Sequence, residues 1–226
     1  MRALRLAARG TGELLITVGM LLLLFCVYQL VWTNVEAQRQ QDAVTDQLTD
    51  DWRRPDAGST PVTAPELPLK LGEGFALLRI PRLGDNYDVP IVEGVRTSDL
   101  SRGVGHYPRT PRPGEIGNVG VAGHRATNGE PFRDLDRMRK GDAVVVETET
   151  TWFTYVVDRL QIVRPSDVWV LDPVPGEPQA EPTERLLTLT TCNPRWASTE
   201  RLIVFSHLEE TTPKSSGRPA ALAGGR

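Results

Sequence analysis

Between Leu14 and Trp32 runs a stretch of 19 residues, LLITVGMLLLLFCVYQLVW, whose only ionisable side chains are the weak acids Cys26 and Tyr28. No other part of the sequence restricts the fate of the chain as much. As a helix rising about 1.5 Å per residue it reaches roughly 28 Å, close to the hydrocarbon thickness of a bilayer. Arg2, Arg5 and Arg9 precede it, while Glu36 and Arg39 nearly cancel just after it. The positive-inside bias then predicts a cytoplasmic N-terminus over 1–13, a single span over 14–32 and everything beyond it outside the cell. A cleaved secretory signal ending at Val35-Glu36-Ala37 is the alternative, although apolar cores of such signals usually run only about 7 to 15 residues. Either reading exports the remainder.

An exported chain raises the question of its cysteines. There are 2, and Cys26 lies within the apolar stretch, where it cannot meet a partner in an external domain. Cys192 is therefore an unpaired thiol outside the cell, either a buried filler or a reactive group. The formal net charge is -3, and the basic N-terminus leaves the exported part more acidic still. That excludes a nucleic-acid partner, which would require a basic surface.

From Asn34 to about Leu71 the sequence is polar and then interrupted by Pro55, Pro61, Pro65 and Pro68. This predicts a semi-extended extracellular linker over 33–71. Gln38 to Asp51 could form a short helical stalk, with too few apolar positions to prescribe a partner. From Gly74 onward short runs rich in Val, Ile, Leu and aromatics alternate with Gly, Pro and Asp, the pattern of an all-β barrel or sandwich. Strands are expected near 75–80, 87–93, 118–123, 143–148, 152–163, 186–191 and 202–208, with helical turns at Asp99-Leu100 and Pro131 to Met138. A single folded domain is expected over 72–210 and a disordered tail over 211–226.

The two-residue alternation of a strand puts Leu187 and Leu189 on one face and Thr188, Thr190 and Cys192 on the other. The thiol thus closes a strand on its polar side, where the chain turns into Asn193-Pro194. Arg201 opens the next apolar run, so an antiparallel hairpin sets the guanidinium across from the thiol. There it favours the thiolate and an oxyanion formed on addition to a carbonyl. A proton donor for a leaving amine is best supplied by histidine, whose ordinary pKa is near 6.5. His207 lies about 20 Å along the strand from Arg201 at the extended rise and is discarded. His106 lies in an expected turn, and His124 ends a run in which Gly120 and Ala122 share its face and clear space above it.

Thr188-Leu189-Thr190-Thr191-Cys192 matches the sortase signature TLxTC at every specified position, and an arginine opens the following strand. Gly117 to His124, GNVGVAGH, resembles that family's histidine-bearing segment. The resemblance covers roughly Leu71 to Glu210. It implies an eight-stranded β-barrel with short helices behind an N-terminal transmembrane helix, and a two-step transpeptidation with no cofactor and no metal. Cys192 would attack the Thr-Gly bond of a C-terminal sorting signal, His124 would protonate the departing amine, and Arg201 would hold substrate and oxyanion. Tyr107, Thr190, Thr191 and Asn193 would contact substrate. The implied partners are sorting-signal-bearing surface proteins, an amine on a peptidoglycan precursor and, through 14–32, the membrane. Gly105-His106-Tyr107-Pro108 and the proline two positions after the cysteine are most like the class E branch of actinobacteria, where a tyrosine matching Tyr107 is linked to LAxTG over LPxTG signals. The branch commonly has histidine where this chain has Asn193.

Three rivals remain open on the residues alone. Water as acceptor would make a thiol peptidase, and a pilin lysine a pilus polymerase. A zinc site could draw on Cys192, His124 and His106. A membrane-anchored binding domain would use none of this chemistry.

Overall fold

The computed structural model describes residues 2–54 and 69–223. A single helix, α1 (Arg2–Arg53), carries the apolar stretch and continues 21 residues past Trp32. No proline interrupts it before Pro55. It is the one helix among the described residues long and apolar enough to cross a membrane. The second half of α1 lies where a stalk without a partner was expected. Ala37, Gln41, Val44 and Leu48 are buried, at spacings of four, three and four that put them on one helical face. Val44 and Leu48 pack with Leu77 and Val92 on the outside of the sheet, joined by Trp52. Gly74 makes the approach possible, since a Cβ there would lie 2.6 Å from Val44. The four prolines of the expected linker lie outside the described residues.

Eight strands follow: β1 (Gly74–Arg79), β2 (Asp88–Glu93), β3 (Val104–His106), β4 (Gly117–Gly123), β5 (Ala143–Glu147), β6 (Thr151–Val163), β7 (Arg185–Asn193) and β8 (Glu200–Pro213). They close into a barrel in the order β1-β2-β3-β4-β7-β8-β6-β5. The pairs β2–β3 and β4–β7 are parallel and the others antiparallel. Closure removes sheet edges that would otherwise offer unpaired backbone groups. Inside lie Leu78, Ile91, Val119, Val121, Val146, Tyr155, Leu187, Leu189 and Val204, with Phe132 and Leu135 plugging one end. Burial pushes the Tyr155 and Tyr87 phenols well above the ordinary tyrosine range.

Seven strands fall where the alternation predicts them, and β3 is the addition. At three residues it is too short for period two to register, and it moves His106 from the expected turn to a strand end. A four-residue helix, α2 (Thr97–Leu100), and a 3-10 turn at Leu135–Arg137 stand where helical turns were expected. The expected disorder beyond Glu210 is corrected as well. β8 runs to Pro213, paired with Thr151 of β6, and short 3-10 turns follow at Lys214–Ser216 and Ala220–Leu222. The anchor is a cation, invisible to a count of apolar residues. Lys214 Nζ lies 2.8 Å from Glu147 and 3.9 Å from the ring centroid of Trp52.

Candidate active site

Three adjacent strands, β4, β7 and β8, bring the candidate residues to one end of the barrel. In the parallel β4–β7 ladder Ala122 pairs with Thr190 and Gly123 with Thr191, so the next step sets His124 beside Cys192. In the antiparallel β7–β8 ladder Cys192 pairs directly with Arg201. Neighbouring strands lie about 4.8 Å apart, and partners in register share a face. Leu187, Leu189 and Val204 go to the interior, which leaves Cys192, His124 and Arg201 on the outer face. The structure thus gathers all three on adjacent strand ends.

That outer face is roofed except at its end. Over Gly120 stand Tyr107 and Leu171, each within 2.9 Å of where a Cβ would be. Trp169, Val170 and Leu171, from the 3-10 turn Val168–Leu171, cover Ile203 and Phe205. Asn118 fixes this cover, donating from Nδ2 to the carbonyls of Val170 and Asp172, each at 3.0 Å, and accepting from the Thr188 hydroxyl at 2.7 Å. The glycine expected to clear space for substrate is therefore filled by Tyr107 and Leu171. Beyond it, at Cys192, the strand end is partly exposed.

Cys192 and the His124 ring are partly exposed. The Nε2 of His124 is buried without a hydrogen-bond partner among the described residues. Its surroundings push the imidazole pKa below the ordinary 6.5, because burial penalises the charged form. The backbone at His124 is held by its neighbours: Phe132 N donates to the His124 carbonyl at 2.9 Å. The Phe132 ring also lies against Gly123 so closely that a Cβ there would stand 2.5 Å from it. Arg201 donates from Nη1 to the carbonyls of Ser198 at 3.0 Å and Glu200 at 2.8 Å, which holds its guanidinium at the mouth of the β7–β8 loop.

The expected substrate contacts fare differently. Tyr107 stands over the outer face with its hydroxyl 3.2 Å from Thr190 Oγ1. Thr190 and Thr191 are buried at 6% and 2% exposure, and the Thr191 hydroxyl donates to the Gly123 carbonyl at 2.8 Å. Both threonines therefore fasten the β4–β7 seam. Asn193 is engaged on both sides, accepting from Arg125 Nη1 at 2.6 Å and donating to Glu200 at 2.8 Å. Arg125, buried at 6% exposure, also pairs with Asp136 at 2.8 Å.

Arg125, Asn193 and Glu200 are each the chain neighbour of His124, Cys192 or Arg201, so a polar tie runs directly beside the candidate trio. Sequence reasoning missed Arg125 and Glu200. A charged residue following the candidate histidine was the available signal, but only coordinates reveal its burial.

The zinc rival loses a ligand. His106 is buried, with Nδ1 2.6 Å from Glu93 and Nε2 3.0 Å from both the Pro111 carbonyl and Thr110 Oγ1. Among the described residues no group of three His, Cys, Asp or Glu side chains could hold a metal ion. His207 lies at the other end of β7, opposite Leu186 and bonded to Asp158.

A thiol, an imidazole and a guanidinium on three neighbouring strand ends of a closed barrel can form and resolve a thioester. Residues 78–209 match the family model described as the sortase domain, and the chain belongs to the sortase family, in its class E. It is 43% identical over 227 residues to sortase SrtE1 of Streptomyces coelicolor, an alignment covering 96% of this chain and 61% of that relative's length. Sortase E from Streptomyces avermitilis is structurally similar, with a TM-score of 0.62 and 48% identity over 68% of this chain and 99% of that one. Sortase E1 from Streptomyces coelicolor, solved with a tripeptide in its active site, gives a TM-score of 0.62 and 44% identity over 67% of this chain and 97% of that one.

Proposed function

We propose that this chain is a membrane-anchored cell-wall transpeptidase. In this reading Cys192 attacks the Thr-Gly carbonyl of a C-terminal LAxTG- or LPxTG-like signal, and an amine on a peptidoglycan precursor resolves the thioacyl enzyme. The observation that carries the reading is the pair of ladders, β4–β7 and β7–β8, which align His124, Cys192 and Arg201 at one open strand end.

The local environment supports these roles. A desolvated, neutral His124 accepts the thiol proton as sulfur adds to the carbonyl. The imidazolium so formed is a stronger acid than in water and returns the proton to the departing glycine amine. Arg201 supplies positive charge where the tetrahedral oxyanion develops. In the second step the amine nucleophile gives its proton to His124 while the thioester C–S bond breaks, and the departing thiolate takes that proton back from the imidazolium, restoring the neutral pair. Tyr107, on the same outer face, borders the groove from the β3–β4 side and is the substrate contact this reading retains. Residues 14–32 span the membrane with the N-terminus inside, and the barrel works outside.

Incubating the chain with a LAxTG peptide should yield a covalent adduct on Cys192 by mass spectrometry, and adding an amine should release the joined product. Cys192→Ala should abolish both while leaving the fold intact. Product formation by that variant refutes the reading. Release of free acid in place of the amide, with amine present, would reassign the chain as a thiol peptidase.

A further inference from the structure

We infer that the active-site end of the barrel faces the bilayer, with Trp196 of the β7–β8 loop in the interfacial layer of the membrane; this rests on the anchored reading of α1 given above. Two contacts fix which end of the barrel is nearer the membrane. At the lower end of the exported helix, Asn34 donates from Nδ2 to Glu130 at 3.1 Å and accepts from the Gly129 backbone N–H at 3.2 Å. Those residues belong to the loop that follows His124. At the upper end, Trp52 lies under Lys214, 3.9 Å from its Nζ, beside the far ends of β6 and β8. Asn34 and Trp52 are separated by about 27 Å along the axis, at about 1.5 Å per residue. The barrel therefore lies along α1 with its catalytic end down.

The level of that end follows from the same rise. Trp32 closes the apolar stretch two residues before Asn34, about 3 Å lower. Glu130, held by Asn34, forms an ion pair with Arg195 in the β7–β8 loop. The Arg195 guanidinium lies 4.7 Å from the ring centroid of Trp196, which is 72% exposed. A short chain of contacts thus connects the boundary of the apolar segment to an open indole beside a cation. Amphipathic indole rings with arginine near them suit the headgroup level, where one side is apolar and the other wet. The bilayer surface continues directly from the segment that α1 already places in it, and this continuity selects lipid over a protein partner. The loop joining Cys192 to Arg201 then works at headgroup height.

The test uses the full chain in phosphatidylcholine–phosphatidylglycerol vesicles whose acyl chains carry bromine close to the glycerol backbone. Bromine quenches indole emission on contact. The chain should lose a larger share of its fluorescence than Trp196→Phe, a change at an exposed position that leaves the core untouched. Equal fractional losses would overturn the inference, as would protection of Trp196 by a soluble sorting-signal peptide but not by lipid. Trp32→Phe, compared in the same way, reports the anchor separately. If Trp32 is quenched and Trp196 is not, this inference alone fails. If neither is quenched, the anchored reading fails with it, whereas the Cys192 adduct still decides the chemistry independently.

Discussion

His124 shows how a residue's surroundings set its chemistry. Partial burial lowers its pKa, so the folded protein binds its proton less readily than the unfolded chain. A nuclear magnetic resonance titration should place its midpoint below 6.5. The sign of the stability effect follows. Above 6.5 both states are neutral, and as pH falls through that value the unfolded chain gains a proton that the folded one resists. Stability therefore drops on acidification until the folded-state pKa is passed. Between about pH 7 and pH 5, His124→Gln should lose less stability than the parent, as read by urea midpoints. A parallel loss in both proteins would show that burial does not shift this ring. At this scale the placement of Cys192, Arg201 and His124 at neighbouring strand ends was legible in the sequence, because alternation and hairpin register place side chains one by one. The intramolecular partners of Thr191 and Asn193 were not legible, because period two says which face a residue takes and nothing about what covers it. Their hydroxyl and amide are used inside the protein, on Gly123 and on Arg125 and Glu200.

At the scale of elements, most strands announce themselves by their apolar runs, whereas β3 and the packed half of α1 do not. Three residues cannot display a period, and a face that includes Gln41 does not read as apolar. Yet Gln41 donates to the Asn128 carbonyl at 3.2 Å, which makes it part of the contact. The end of β4 is equally specific. Gly123 is pressed by the buried Phe132 ring, whose backbone N–H also holds the His124 carbonyl. Gly123→Ala should therefore destabilise the domain by about 1 to 3 kcal/mol, the usual range for overpacking. It should also lower turnover, because the strand end carrying His124 must shift. A variant with unaltered melting and unaltered rate would show that Phe132 gives way freely.

For the whole molecule, the main correction is that helix and barrel form one body over the second half of α1, joined through Val44, Leu48, Leu77 and Val92. Leu48→Ala, at 8% exposure, should cost about 2 to 3 kcal/mol by denaturant titration of the full chain. A negligible change would mean that the seam contributes little to stability. The all-β class was readable because most strands carry an apolar inner face, whereas the closed eight-stranded barrel was implied by the family resemblance alone; the strand order was not readable, since nothing local encodes which strands pair in parallel.

The parallel joining of β4 to β7 bears on when reactivity arises. Gly123 and its hydrogen-bonding partner Thr191 stand 68 positions apart, and the intervening chain contributes β5 and β6 to the other side of the barrel. Such distant pairings form slowly, because loop closure must be completed before the contacts repay it. Synthesis runs from the N-terminus, so His124 is made long before Cys192, and Arg201 last of all. Cys192 therefore comes to stand beside His124 and Arg201 only when the final strands dock, and a chain ending before β8 would lack that arrangement.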